Sequence, residues 1–482
     1  MNVKNYNQDQ NLLFPPHLKD FLPDDHQAMI INDIVETLDL SCLYRKVSSE
    51  GNPAYHPKMM LKILIYAYAN GIFSSRKIQA AVQESVAFIF LAAWQKPDFR
   101  TISDFRKDNL AEFRTLFGLV VDMCRGLGMV SLGHIAIDGS KFKANASDKR
   151  TYDKKRINKA INKLLKQADQ IDCREDQVFG PDNAGDQLPE KIRRQKDRLE
   201  KLHQIKDQLN HSENNNINAT DPDAVFMKTS DGIKTSYNGQ VAAEQSHNII
   251  LAADVSNEPS DTEQLVPMVD QTQKRIGPLD KLSADSGYSS GPNIEKMAEQ
   301  GIDAHIPDAN YQGSQRGKQD APGEGFFPRS CFKRDELQDC FICPAGEKLS
   351  FSHLQKLKNK EPLRLYRCRA FNSCPLKEKC TKSRNGRSIT LNAYDEQFRA
   401  MRSKLDSPHG KRIYAKRQSI VEPVFGHIKE TIGFRKFHLR GLEKVNGEFL
   451  LVCMAHNMRK IINALKPQRS LNCQQTAEVA IP

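Results

Sequence analysis

Three carboxylates in this 482-residue chain stand where an acid is costly unless something binds it. Asp138 ends the apolar run Ile135–Ile137 and precedes Gly139 and Ser140. A carboxylate at the end of a buried strand needs a partner charge or a metal, although Asp-Gly-Ser is also ordinary turn chemistry. Asp285 repeats the setting, closing "LDKLSAD" just before a Ser-Gly turn. Glu422 lies in a helical run among Ile420, Val421, Val424 and Phe425. Three hard oxygen donors at element boundaries or in apolar surroundings suit two-metal phosphoryl transfer, in which two ions about 3.5–4 Å apart clamp the attacking and leaving oxygens.

A second set of residues with chemistry is sulfur. Of 11 cysteines, Cys331, Cys340, Cys343, Cys368, Cys374 and Cys380 crowd one segment. Cys340 and Cys343 form a C-x2-C knuckle, and four thiolates from two such halves make a structural zinc site. The spacing favours Cys340, Cys343, Cys374 and Cys380, with Cys368 as the substitute; reduced cysteines packed without metal are the alternative. Cys42, Cys124, Cys173, Cys453 and Cys473 are scattered and read as small hydrophobes or surface residues.

The elements that must position these groups divide the chain. Residues 1–130 read as helical. "DDHQAMIINDIVETLDL" places Ile30, Ile34 and Leu38 at helical spacing. "HPKMMLKILIYAYANG" opens with Pro57 in the first turn and stops at Gly71. "SSRKIQAAVQES" follows, capped by Ser74 or Ser75. Two helices around a Gly turn, the second beginning with Arg76 and Lys77, fit either a helix-turn-helix DNA reader or a packed hairpin. "TISDFRKDNLAEFRTLFGLVVDMCRGLG" reads as one amphipathic helix capped by Thr101.

Residues 131–465 carry the strand signals. Tyr237–Ala243 and Ile249–Val255 flank "EQSHN" as a hairpin, and later strands alternate with helices. This pattern predicts a mixed α/β sheet flanked by helices. Two insertions interrupt it. Residues 148–217 form a helical hairpin with stripes Ile157, Ile161, Leu164, Ala168, Ile171 and Ile192, Leu199, Leu202, Ile205, Leu209 around "FGPDNAGDQLP". Residues 311–390 hold the cysteines. A long helix from Asp395 through Glu430, broken near Ser407-Pro408, leads to the basic stretch "GFRKFHLRGLEKV", an amphipathic helix and a tail over 466–482.

The chain has 71 Lys+Arg against 59 Asp+Glu, a net charge of +12, which suits a polyanionic partner. Its longest apolar run, Val86–Trp94, is shorter than the roughly 20 residues of a membrane span. No membrane association and a cytoplasmic location are expected.

With the motifs in place, the sequence resembles the DDE transposases of bacterial insertion sequences, of the class with a Tyr-Arg-Glu-Lys signature. The resemblance runs through "HPKMMLKILIYAYANGIFSSRKI", "TISDFR", "IDGSKFKANAS", "SYNGQVA", "ADSGY", "VEPVFGHIKETIGFRKFHLRGLEKV" and "LVCMAHNMRKI". It implies a ribonuclease-H-like catalytic domain after a DNA-end-binding helical domain. It implies Asp138, Asp285 and Glu422 as the triad holding two Mg²⁺ or Mn²⁺ ions. The expected partners are double-stranded element ends and target DNA, with a homodimer in the complex. DNA contacts fall to Lys429, Arg435, Lys436, Arg440, Arg76 and Lys77. The competing reading is a DNA-binding relative that has lost catalysis.

Relatives carry Tyr seven before, Arg four before and Lys seven after the third acid. Lys429 fits. Tyr414 and Arg417 are each displaced by one residue, about 100° around a regular helix, so the family roles do not transfer to them directly. Lys429 should share the face of Glu422, roughly 10 Å along the axis.

Overall fold

The computed structural model describes residues 17–47, 53–179, 190–211, 216–308, 311, 327, 329–357 and 360–479. Apolar spacing and capping build the first helices: α1 (Gln27–Thr37), α2 (Pro57–Ala69), α3 (Ser75–Glu84), α4 (Val86–Ala92), α5 (Phe99–Asp108) and α6 (Leu110–Gly126). Nearly every residue of α2 is buried, so it is a core helix packed on α1 and α4. Its one lysine in that core, Lys62, donates to Asn32 at 2.7 Å and ion-pairs with Glu36. α2 is thus packed within the core, while α3 keeps Arg76 and Lys77 exposed. The single helix expected from Thr101 is two helices. Asp98 caps α5, accepting from the Thr101 amide at 2.7 Å. The break falls at Asn109, whose side chain donates to the Phe105 carbonyl at 2.8 Å.

The central sheet begins with β1 (Ile135–Lys143). Next come the helical hairpin, α7 (Lys154–Phe179) and α8 (Glu190–His211), then β2 (Val225–Thr229), β3 (Gly232–Glu244) and β4 (Ile250–Ser256). After α9 (Leu265–Ile276), the strand β5 (Lys281–Ala284), helix α10 (Gly291–Glu299) and strand β6 (Asp303–His305) complete it. Strand order is β3-β1-β5-β6, with β4 and β2 pairing different stretches of the far edge of β3. β1 is antiparallel to β3 and parallel to β5, and β5 is parallel to β6. An antiparallel meander followed by parallel crossover strands is the ribonuclease-H-like arrangement.

α7 and α8 pack through Ile157, Ile161, Leu164, Leu202 and Leu209, as the two stripes require. The intervening "GPDNAGDQLP" and the side chains of Ala168, Ile171 and Ile192 lie outside the described residues. The cysteine segment folds as its own antiparallel sheet, which the sequence reading did not anticipate. Its strands are β7 (Lys333–Asp335), β8 (Cys340–Ile342), β9 (Lys348–Leu357), β10 (Lys360–Cys368) and β11 (Ser388–Leu391).

The chain then returns to the central sheet through α11 (Asp395–Asp406) and α12 (Pro408–Gly426). They break where expected, with Ser407 Oγ accepting from the Gly410 amide at 3.0 Å. A π-helical turn, His427–Thr431, ends α12. The last helix, α13 (Leu442–Val479), packs on α6, α2 and β4. The apolar core consequently runs without interruption from the first helices through the sheet to α13. No helix among the described residues is long and apolar enough to cross a membrane.

Candidate active site

Sheet register brings the first two acids together. Ile137 of β1 lies level with Ala284 of β5 in the parallel pair, so Asp138 and Asp285 stand side by side as the next residues. Asp285 turns the chain by accepting from the Gly287 amide at 2.8 Å. Asp138 accepts from the Gly139 amide at 2.9 Å. Burial pushes the Asp138 carboxyl up to about 6; Arg417 opposes that shift and the charge of Asp285 adds to it.

The helix that carries Glu422 crosses β1, β3 and β5. Its inward face is Arg417, Val421, Val424 and Ile428, at helical spacing. Arg417 Nη1 lies 3.2 Å from Asp138 Oδ2, and its guanidinium carbon lies 5.9 Å from the Tyr414 ring centroid. Of the two residues displaced in sequence, Arg417 therefore meets Asp138, and Tyr414 lies beside Arg417. Glu422, five residues after Arg417 and rotated from it by about 140°, is exposed.

Lys429 lies in the π-helical turn that ends α12. The π-turn carries it off the regular helical progression and onto β1. There its ammonium donates to Ser140 Oγ at 2.6 Å and sits 4.8 Å from the Phe142 ring centroid. Burial lowers its pKa, Arg435 adding to the effect and Glu430 and Asp138 opposing it. It is half-buried, whereas Glu422 is exposed.

Arg435, Lys436 and Arg440 are exposed between and beyond the buried Phe434 and Phe437. This stretch is fixed to the end of β1, the Phe437 amide donating to the Lys143 carbonyl at 2.9 Å. Arg435 ion-pairs with Glu430, and Arg440 donates to the Asn145 carbonyl at 2.9 Å. Phe73, three residues before Arg76, meets Phe434 edge-on at 5.2 Å. The N-terminal basic pair and the C-terminal basic stretch thus flank one aromatic junction.

Cys343, Cys368, Cys374 and Cys380 line a single cavity of about 20 Å³, together with Phe332, Leu349 and Phe371. Cys340 does not line it. It is buried in β8, level with Ser350 and Asp335 on the neighbouring strands. The substitute Cys368 therefore takes the place given to Cys340, because adjacent β-strand side chains alternate between faces. Burial raises the Cys368 thiol, with Cys343 and Cys374 adding to the shift.

Among the described residues, no three His, Cys, Asp or Glu side chains converge closely enough to hold an ion as they stand. The donor chemistry still fits: two level carboxylates, one already drawing a guanidinium, suit a hard cation, and four thiols around one small cavity suit zinc.

One residue at the acids escaped the sequence reading. Asp261, in the polar loop "EPSDTEQ", accepts through Oδ1 from Lys141, Asn238 and Gln240. Nothing in that loop sets Asp261 apart from its neighbours; only the fold brings it to β1.

Fold and paired acids define a ribonuclease-H-like protein. The family is narrower. Residues 342–462 match the family described as Transposase DDE domain, and residues 16–108 match the one described as Transposase domain (DUF772). These two matches support a DDE transposase of an insertion element, a family of DNA-cutting enzymes that generally use divalent metal ions. The first match contains Glu422 and the four cavity cysteines; Asp138 and Asp285 lie outside both. No curated protein matches the chain.

Proposed function

We propose that this transposase cuts DNA at its element's ends and joins the freed 3′-hydroxyls to target DNA, using Asp138, Asp285 and Glu422 to hold two Mg²⁺ or Mn²⁺ ions. The observation that supports this most is the level pairing of Asp138 and Asp285 at the centre of the sheet. Bound divalent ions supply Lewis acidity at the scissile phosphodiester. The chain's own groups do the rest. Asp138, from within β1, and Asp285, just past the end of β5, would hold the cations, and Glu422, exposed on α12, would supply the third carboxylate. Arg417, 3.2 Å from Asp138, would be placed to meet a phosphate beside the acids. Lys429, beside Ser140, meets the phosphate next to the scissile bond as a compact point charge. Arg435, Lys436, Arg440, Arg76 and Lys77 neutralise the flanking backbone.

In the same reading, Cys343, Cys368, Cys374 and Cys380 take a structural zinc ion. Two element ends need two acidic sites, which supports a homodimer on DNA. Incubating the protein with Mg²⁺, a duplex bearing its element's terminal repeat and a target plasmid tests the reaction. Cleaved ends joined to the plasmid are the expected product. Binding without cleavage or joining, in Mg²⁺ and Mn²⁺ alike, would contradict the proposal and favour a DNA-binding relative that has lost catalysis.

A further inference from the structure

The loop that follows β4 approaches the acids from the opposite side of the sheet to α12. In the antiparallel pair, Lys141 lies opposite Asn238 and Gly139 opposite Gln240. Directly opposed residues share a face, and neighbours along a strand alternate. Lys141, Asn238 and Gln240 thus project from the face opposite Asp138, and all three donate to one oxygen of Asp261. The distances are 3.0 Å from Lys141, 2.6 Å from Asn238 and 2.8 Å from Gln240. Asn238 and Gln240 are fully buried, and the Lys141–Asp261 pair is itself mostly enclosed, at 17% and 19% exposed. A surface ion pair would not recruit two buried amides.

The other oxygen of Asp261 faces the Asp285 turn. A Cβ on Gly287 would lie 3.2 Å from Asp261 Oδ2 and 2.9 Å from Asp285 Oδ1. A Cβ on Gly139, the residue after Asp138, would lie 2.7 Å from Asp261 Oδ1. Both acids are therefore followed, within two residues, by a glycine that lets Asp261 approach. Further bonds stitch the loop to the turn. Thr262 Oγ1 donates to the Gly287 carbonyl at 3.0 Å. Asn293 Nδ2 donates to the carbonyls of Thr262 at 2.7 Å and Tyr288 at 2.8 Å. The Tyr288 hydroxyl donates to Gln240, which returns to Asp261.

We propose that Asp261 is a positioning residue for the transposase reaction: it locks the Asp285 turn against β1 and so sets the separation of Asp138 and Asp285. This inference rests on those two acids being the reacting pair. Asp261 acts through them, from the far face of the sheet, and touches neither DNA nor the cations.

The test compares Asp261→Asn, Asp261→Ala and Asp285→Asn in the full-length protein. The readouts are melting temperature, Mn²⁺ affinity by calorimetry, duplex binding, and single-turnover cleavage over a Mg²⁺ titration. Asp261→Ala should bind Mn²⁺ about 10-fold more weakly and cleave about 10–100-fold more slowly, as removal of a ligand-orienting group does elsewhere. Its half-saturating Mg²⁺ concentration should rise, while duplex binding stays within a few-fold. Asp261→Asn keeps an oxygen that can accept from Asn238 and Gln240, and should recover most of the loss.

Parent-like Mn²⁺ affinity and Mg²⁺ dependence in Asp261→Ala would overturn the inference. So would an Asp261→Asn protein of parental melting temperature that is as impaired as Asp261→Ala, since charge rather than position would then matter. If Asp261→Ala does not fold, the comparison of Asp261→Asn with the parent decides alone: near-parental metal binding supports positioning and a deep loss overturns it. Cleavage by Asp285→Asn at the parental rate would instead remove the underlying acidic pair.

Discussion

The acidic site and the cysteine lobe are both clusters of metal-type ligands, but different forces position them. Asp138 and Asp285 extend from strands whose preceding residues, Ile135, Ala136, Ile137, Leu282 and Ala284, are fully buried in the main core. Their separation is set by sheet register. The four cysteines hang on a small sheet with a core of six buried residues. That lobe leans on polar contacts instead. Asp339 accepts from Arg334 and Arg364 at 2.6 Å and from the Tyr366 hydroxyl at 2.7 Å, and both arginines stack on aromatic rings. A large core places ligands before any ion arrives; a small one needs the ion as part of its stability.

Metal removal should therefore break one region and spare the other. Purified protein is expected to carry about one zinc ion per chain, as a four-thiolate site would. A Cys343→Ser, Cys374→Ser double variant should lose it. Hydrogen exchange should then show β8–β11 exchanging freely while β1, β3 and β5 stay protected. Full protection of the lobe in zinc-free protein would mean that the cysteines pack unaided.

The acids show the opposite behaviour, because their sheet buries the Asp138 carboxylate at a cost to which the neighbouring Asp285 adds. Asp138 titrates at about 6 when folded against 3.8 ordinarily. The folded state thus binds the proton more tightly, so metal-free stability falls as pH rises from about 4 to about 6. Asp138→Asn removes that cost. In chelator, the variant should match the parent near pH 4 and exceed it at pH 7.5 by about 1–3 kcal/mol in urea unfolding. A difference that does not grow across this window would refute the burial of Asp138 as its cause.

The smallest effect concerns the basic stretch beside β1. Removing the charges of Arg435 and Lys436 should reduce the slope of log affinity against log salt by about 2, the value for two phosphate contacts. An unchanged slope would place the phosphate contacts elsewhere.

Legibility in the sequence followed the range of the interactions. The end of β5 before Asp285, the β3–β4 hairpin and the break at Ser407 depend on local patterning, and all could be read; β1 instead runs on past Asp138 to Lys143, because Gly139–Lys143 keep their pairing with β3. The facing of Arg417 depends on which side of α12 the sheet covers, and the place of Lys429 on one π-turn. Strands β9 and β10 went unread because much of their surface is exposed and polar, leaving little apolar alternation. Asp261 is joined to β1 across 120 residues, a contact that no local pattern encodes.

Whether the level pair of acids performs the chemistry is decided by one comparison. Asp285→Ala and parent protein are each bound to a labelled terminal-repeat duplex, and strand cleavage is then started with Mg²⁺. Asp285→Ala should bind the duplex within a few-fold of the parent and yield no cleaved strand. Parental cleavage by Asp285→Ala would contradict this and move the reaction away from Asp138 and the end of β5.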